Sequence, residues 1–265
     1  MGTRPPRSPE RQRRVFTSVG QSGVGGTPID GVLLIDKPAG LSSHDVVATV
    51  RSSLGGVRTG HAGTLDPFAT GLLLVLVGRA TKAQSALMAL PKRYETVAQL
   101  GALSSTGDTE GEITHTGMVP PDPPALPTGE LRQRPPIYSA VKIGGERAYK
   151  RARRGERFEM PERIVTVTRF TQVWRDPDAP AGVELPGAPP RAGFAIECGS
   201  GTYVRSLIAD LGDAYCLTLR RTAIGPFEVR DAVAPPPRPP KGLRGQFWRD
   251  PPLISLEQAL GAISK

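Results

Sequence analysis

Apolar positions along the chain fall into short runs with either strand-like or helix-like spacing. The longest run, residues 72–77, is entirely aliphatic and lies between Gly71 and Gly78. A continuous apolar run of this length between glycines is typical of a strand buried on both faces. We therefore expect the centre of a sheet at residues 72–77.

Other segments follow the two periods in an irregular order. Strand composition or alternation predicts strands at residues 31–36, 92–101, 164–170 and 194–198. Helical spacing predicts helices that begin at Ser42 or Ser43, at residues 80–90, after a Ser/Thr cap at residues 200–202, and at residues 255–263. This interleaving permits a mixed α+β fold without dictating it.

Composition divides the chain into one folded domain and several polar or proline-rich segments. Residues 1–28 contain five arginines and almost no apolar side chains. They predict a disordered basic tail, which either attracts RNA phosphates or has no function. We expect the folded domain at residues 29–230, a proline-rich linker at 231–252, a mobile loop at 177–191 and a terminal helix at 253–265.

The charge balance points to an acidic partner. The formal net charge is +9 and the pI is about 10.0, which makes nucleic acid the first candidate, although a solvated basic surface or basic tails would give the same excess. Cys198 and Cys216 form no CxxC motif and the three histidines are scattered, which argues against a zinc site and a disulfide scaffold. Without an apolar span or a secretory h-region, we expect a cytoplasmic protein.

One glycine-spaced segment, residues 60–71, carries a single carboxylate, Asp66, directly before the buried run. Its three glycines let the backbone approach a ligand closely. Pro67 removes one amide donor and holds Asp66 in extended geometry. Taken alone, Asp66-Pro67 would be a simple turn.

Several separated motifs, in order over residues 31–230, resemble the TruB family of tRNA pseudouridine synthases. The chain reads D-K-P-A-G-L-S-S at 36–43, G-H-A-G-T-L-D-P-F-A-T-G at 60–71, K-R-Y at 92–94, P-P-I-Y-S-A-V-K at 135–142, G-T-Y-V-R-S-L at 201–207 and L-R-R at 219–221. Residues 104–111 match the family's T-D-T-x-D-x-x-G pattern at Asp108 and Gly111, but Ser105 stands where the family usually has aspartate. Whatever that aspartate does in the family, this chain lacks it.

The resemblance implies a role for particular side chains. Asp66 would be the catalytic nucleophile, paired with Arg205, and Tyr94 would pack against the target base and assist proton transfer. The substrate-binding residues implied by the motifs and their surroundings are His61, which would help to extrude the base, and Tyr203, Leu219, Lys37, Asp108, Lys142, Arg147 and Tyr149. The residue that removes the proton from C5 stays open among these groups or a water molecule.

The same resemblance implies the activity, the partner and the fold. The family isomerises uridine 55 in the T-loop of tRNA, flips the base out and needs neither a metal nor a cofactor. We accordingly expect a monomer that binds the T-arm of tRNA. The implied fold is α+β, with a mixed, largely antiparallel sheet flanked by helices and a shortened RNA-binding thumb at residues 120–160.

Two other functions fit parts of the sequence. A non-catalytic tRNA-binding or tRNA-folding chaperone would use the same basic cleft without turnover, although Asp66, Tyr94 and Arg205 are all present. A glycosidase with two carboxylates would need a partner acid for Asp66, such as Glu95, Asp108 or Glu197. Aromatic residues make up only 5% of the chain, which is few for a sugar site.

Overall fold

The computed structural model describes residues 29–139, 141–176, 190–240 and 247–264. The strands are β1 Gly31–Lys37, β2 Thr59–His61, β3 Thr70–Val77, β4 Lys92–Leu100, β5 Ala102–Ser104, β6 Ile113–His115, β7 Gly129–Gln133, β8 Lys142–Ile143, β9 Glu146–Arg147, β10 Arg163–Arg175, β11 Arg191–Cys198, β12 Ala214–Ile224 and β13 Phe227–Glu228. The α-helices are α1 Ser43–Ser53, α2 Gln84–Ala89, α3 Ala148–Arg153, α4 Val204–Ala209 and α5 Leu256–Ile263, with 3-10 helices at Gly78–Ala83 and Val229–Asp231.

A single large sheet organises the described part of the chain. Its strand order is β1-β3-β12-β4-β11-β10-β7, with β2 paired to β3 and β13 paired to β12. The β3–β12 pair is parallel and the other pairs in this sheet are antiparallel. The expected mixed, largely antiparallel α+β fold is confirmed.

Strand β3 is the buried centre that the apolar run predicts. Leu72 to Val77 are all inaccessible to solvent. Alternate side chains enter two different clusters, because successive residues of a strand point to opposite faces. Helix α1 covers one face through Val46 and Val50, and helices α2 and α5 cover the other.

Helix α1 begins as its sequence predicts, and the structure resolves which serine caps it. The Ser42 hydroxyl accepts from the Asp45 amide at 3.1 Å, and the Asp45 carboxylate accepts from the Ser42 amide at 3.0 Å. This reciprocal pair is a capping box. Ser43 is therefore free to bond elsewhere.

Four local features differ from what the sequence predicts. The helix expected at residues 80–90 is a 3-10 turn followed by the short helix α2. Helix α4 has Tyr203 at its N-cap and no side-chain cap, because the Thr202 hydroxyl donates to the Gly199 carbonyl instead. Strand β7, in the proline-rich segment, and strand β12 were not predicted from the sequence, and both form by pairing with distant strands.

The C-terminal segment packs on the domain. Val233 and Ile254 form backbone hydrogen bonds of 2.8–3.0 Å with strand β1, and Ala259 of α5 is fully buried. The expected tail at residues 1–28 and most of the expected loop at 177–191 lie outside the described residues. Within the described ranges, no helix has the length and apolarity needed to cross a membrane.

Candidate active site

The segment that carries Asp66 is anchored on both sides by buried polar groups. The Ser43 hydroxyl accepts from the Leu65 amide at 2.9 Å. The Lys37 ammonium donates to the Pro67 carbonyl at 3.1 Å, and the Gly40 amide donates to the same carbonyl at 2.9 Å. Because these contacts hold the backbone on either side of Asp66, the carboxylate is presented from a fixed loop.

Arg205 of helix α4 lies directly against Asp66. Its Nε is 2.9 Å from Asp66 Oδ2, and its Nη1 is 3.1 Å from Asp108 Oδ2. Nη1 also donates to the Thr106 carbonyl at 2.6 Å and Nη2 to the Tyr138 carbonyl at 3.1 Å. With only 3% of its side chain exposed, Arg205 is a fixed cation beside a carboxylate that is 31% exposed.

The surroundings of Asp66 act on its pKa in opposite directions. Burial raises the pKa of the Asp66 carboxyl above its ordinary value, and the neighbouring Asp108 carboxylate raises it further. Arg205 and Lys37 lower it through their positive charge. The ionised form of Asp66 therefore depends on the adjacent guanidinium, since an unpaired buried carboxylate favours protonation.

Two cavities meet at the Thr64–Asp66 loop. Cavity A, of about 460 Å³, is lined by Asp66, Tyr94, Tyr203, Arg205 and Leu219, and by Met88, Lys92, Lys142, Arg163 and Arg221 among others. Burial raises the pKa of both the Tyr94 and the Tyr203 phenols, and the positive charge of Arg221 opposes this effect at Tyr94. Cavity A combines a carboxylate with aromatic and aliphatic walls, as a pocket for a planar base requires.

Cavity B, of about 640 Å³, lies on the other side of the same loop. It is lined by Asp66 and Arg205, by His44, Tyr138, Tyr149, Arg147 and Arg153, and by Asp108 and Glu110 among others. Arg153 lies over the Tyr149 ring, 5.6 Å from its centroid. Cations and aromatic rings in this arrangement suit a nucleic-acid strand.

Lys37 and Asp108 are both buried, and most of their contacts are to the protein itself. Lys37 is fully buried and donates to three backbone carbonyls, so it fixes the loop. Asp108 is 3% exposed and accepts from Thr106, from the Glu110 amide and from Arg205. These contacts favour support of Asp66 and Arg205 as the role of both residues, and their expected part in substrate binding stays a prediction.

His61 also differs from its expected placement. It ends strand β2, lines neither cavity, and packs edge-to-face on His44 with ring centroids 5.5 Å apart. Its Nδ1 is buried without a hydrogen-bond partner among the described residues. Burial, with a smaller effect from His44, lowers the pKa of His61 to about 4.

This pKa predicts a loss of stability in mild acid. Below pH 6.5 the unfolded chain protonates His61 whereas the folded chain resists protonation down to about pH 4, so stability falls across that window. The contribution is on the order of 3 kcal/mol. Urea midpoints between pH 7 and pH 4.5 should fall less steeply for His61→Gln than for wild type, with the exposed His115→Gln as control. Parallel curves for wild type and His61→Gln would contradict this.

The sequence did not single out Arg221, Arg163 or His44, which also line the cavities. Arg221 stands in the L-R-R motif, but only a known strand direction tells which arginine faces the site.

Glu95 and Glu197 line neither cavity, and Asp108 is already held by Arg205, so none is placed as a partner acid for Asp66. Among the described residues, no three His, Cys, Asp or Glu side chains gather as a metal site would require.

Comparison with curated proteins gives relatives over most of the chain. A tRNA pseudouridine synthase B of Thermobifida fusca is 45% identical over 218 residues, 77% of this chain and 72% of that protein. A tRNA pseudouridine synthase B of Nocardia farcinica is 44% identical over 229 residues, 80% of this chain and 72% of that protein.

Solved structures agree on the fold. A Cbf5–Nop10–Gar1 complex contains a chain that is 31% identical with a TM-score of 0.52, covering 75% of this chain and 50% of its own. This chain thus spans about half the length of that one. An H/ACA RNP bound to a substrate RNA containing 2′-deoxyuridine matches at a TM-score of 0.56 and 24% identity, over 88% of this chain and 61% of its own, and shows the fold alone.

The family model for the TruB family pseudouridylate synthase (N terminal domain) matches residues 51–204, which include Asp66, Tyr94 and Tyr203. This match covers more than half of the chain, and the curated relatives match a larger share of it. The chain therefore belongs to the TruB family of pseudouridylate synthases.

Proposed function

We propose that this chain isomerises a uridine of tRNA to pseudouridine, at position 55 of the T-loop, with Asp66 as its catalytic carboxylate. The observation that carries the proposal is the ion pair between Asp66 and the buried Arg205, set in the wall of an aromatic cavity. The names of the curated relatives support the same activity.

The chemistry needs one ionised carboxylate at a fixed place. The N1–C1′ bond breaks, the uracil turns, C5 bonds to C1′, the C5 proton leaves and N1 gains a proton. Arg205 Nε lies 2.9 Å from Oδ2 of Asp66, and 31% of the Asp66 side chain stays exposed. That exposed part of the carboxylate is available to the sugar or the ring.

Cavity A supplies the place for the flipped base. Taking a base out of a folded loop costs a few kcal/mol, which stacking and hydrogen bonds in the pocket must offset. Tyr94, Tyr203 and Leu219 provide flat and aliphatic contact area around Asp66. Tyr94 and Tyr203 both share this cavity with the carboxylate, and Tyr94 is the one to which the family resemblance gives the proton-transfer role.

Cavity B and its rim supply contacts for the RNA backbone. Arg147, Tyr149 and Arg153 come from the hairpin β8–β9 and helix α3, within the expected thumb at residues 120–160. Lys142 lies at the entrance of this segment and lines cavity A. These cations would neutralise phosphates of the expected partner, the T-arm.

The thumb arginines offer a matched test of this contact. Arg153 lines cavity B, whereas its neighbour Arg154 is held by Glu146 and Glu156 at 2.6–2.7 Å. Arg153→Gln should weaken T-arm binding and lower the slope of log affinity against log salt by about 0.7–0.9. Arg154→Gln should change the slope by less. Equal slopes for wild type and Arg153→Gln in filter binding would remove Arg153 from the interface.

The proposal includes a monomer acting in the cytoplasm. Asp66, Arg205, Tyr94 and Tyr203 all come from one chain, so the site needs no residue from a second copy. Cys198 and Cys216 are free thiols, which suits a reducing compartment.

The function is tested with a T-arm transcript that carries tritium at C5 of the T-loop uridine only. Wild-type protein should release the label to water, whereas a transcript labelled only at a stem uridine should keep it. Tight binding without release from either transcript would favour the chaperone alternative. Release from the stem uridine at the same rate would contradict the choice of position 55.

A further inference from the structure

Arg221 of strand β12 is a buried cation directly beneath the Asp66 loop. Its side chain has 1% exposure, and its Nε donates to the Leu72 carbonyl at 2.7 Å. Its Nη2 donates to the Gly63 carbonyl at 3.1 Å and its Nη1 to the Thr64 carbonyl at 3.4 Å. One guanidinium therefore holds the backbone just before Asp66.

The charge of Arg221 is not neutralised by an acid. Among the described residues, no carboxylate forms an ion pair with it, in contrast to Arg205 and Arg220. Burial is the main cause that lowers the pKa of Lys37 and of Lys92 to about 8. The positive charge of Arg221 contributes a smaller effect in the same direction. A buried cation with cationic neighbours is costly to fold, and it strongly favours any negative charge that forms beside it.

Tyr94 is the group that lies beside this buried positive charge. Arg221 and Tyr94 are direct partners in the antiparallel β12–β4 ladder, and both line cavity A. Burial raises the pKa of the Tyr94 phenol, whereas the charge of Arg221 and a hydrogen bond from it act to lower that pKa. Arg221 thus donates to the loop of Asp66 and lies beside Tyr94 in the sheet and in the wall of cavity A.

The backbone of Arg221 is fixed as firmly as its side chain. Strands β12 and β3 pair in parallel at Arg221 and Gly71. Gly71 has φ of +102°, and a Cβ there would lie 2.3 Å from the Arg221 carbonyl oxygen. Only glycine allows this approach, so the last residue of the glycine-spaced motif serves the position of Arg221.

We propose that Arg221 is a positioning residue for the isomerisation, which sets Tyr94 against Asp66 and stabilises Tyr94 as the phenolate that takes the C5 proton. In that step the C5–H bond breaks, its electron pair restores the C5–C6 double bond, and the phenolate becomes a phenol. The phenol returns its proton to solvent, and N1 takes a proton from solvent. This inference rests on the proposed function.

The test compares Arg221→Gln and Arg221→Lys with wild type in single-turnover tritium release from pH 6 to pH 10. Arg221→Gln should lower the rate at pH 7 by about 10²-fold and leave T-arm affinity within about threefold. As pH is raised, the rate of Arg221→Gln should level off at a higher pH than the wild-type rate, because the Tyr94 phenolate then forms at a higher pH. Arg221→Lys should recover part of the rate, since it keeps the charge.

The matched control is Arg220→Gln, the adjacent arginine, which pairs with Asp36 at 2.7 Å and lines neither cavity. It should stay within about twofold of wild type. A rate lowered by the same factor at every pH in Arg221→Gln would show a purely structural role and overturn the proposal.

A measurement without turnover separates this inference from the proposed function. Ultraviolet titration of tyrosine should contain one transition that is missing in Tyr94→Phe and that moves to higher pH in Arg221→Gln and, less far, in Arg221→Lys. An unmoved transition in the folded variants would overturn the inference. If wild type releases no tritium although the tyrosine transition shifts as expected in the variants, the proposed function is contradicted instead.

Discussion

Asparagine at position 66 is expected to abolish tritium release, with a loss of at least about 10⁴-fold in the single-turnover rate. Asn keeps the shape of Asp66 but cannot act as the anionic oxygen that the reaction requires. The loss should fall on the chemical step, because the cations that we propose to contact RNA phosphates are other residues of the cleft. T-arm affinity should change by less than about tenfold.

The matched control for Asp66→Asn is Asp250→Asn, which removes a carboxylate from an exposed position that lines neither cavity. It should release tritium at the wild-type rate. Release by Asp66→Asn within about tenfold of wild type would remove Asp66 from the role of nucleophile.

Glutamine at position 205 is expected to lower the single-turnover rate by about 10²–10³-fold while RNA affinity stays within about tenfold. Arg205 is buried under the loop and bonds to Asp66, Asp108 and two backbone carbonyls, so it contributes little surface to RNA. Its loss leaves the buried Asp108 and the partly exposed Asp66 without their common cation. Quench-flow kinetics on the T-arm transcript, with filter binding in parallel, measure both quantities.

The same substitution should also destabilise the fold, by about 3–5 kcal/mol, since breaking a buried pair leaves an uncompensated charge. Adding Asp108→Asn to Arg205→Gln removes one of the two stranded carboxylates and should restore part of the stability but none of the rate. Rate and stability that recover together would show that Arg205 acts only through the fold. Circular dichroism at the assay temperature establishes which variants are folded.

Sequence patterns were sufficient where the information is local. The apolar run at residues 72–77 predicts the buried strand β3, and the Ser-Ser dipeptide predicts the start of α1. The motif around Asp66 marks the loop because its glycines, proline and carboxylate are contiguous. Arg205 was recognisable through the family motif, and the structure places it 2.9 Å from Asp66.

The role of the other basic residues depends on strand pairing, which sequence reasoning did not reach. Lys37 and Arg221 are strongly polar, yet both are buried, because long-range pairing places their strands beside β3. Adjacent arginines 220 and 221 face opposite ways on β12, a strand that was not predicted at all. The family resemblance implies that His61 helps to extrude the base, but its ring packs on His44 and lines neither cavity.

The dependence of Asp66 on Arg205 is tested most directly by the acid limb of the pH–rate profile. Only ionised Asp66 is competent, and the guanidinium opposes the effect of burial on its pKa. In Arg205→Gln the acid limb of single-turnover tritium release should therefore move to higher pH than in wild type, so that part of the lost rate returns as pH rises. An acid limb at the same pH in both proteins would contradict the account.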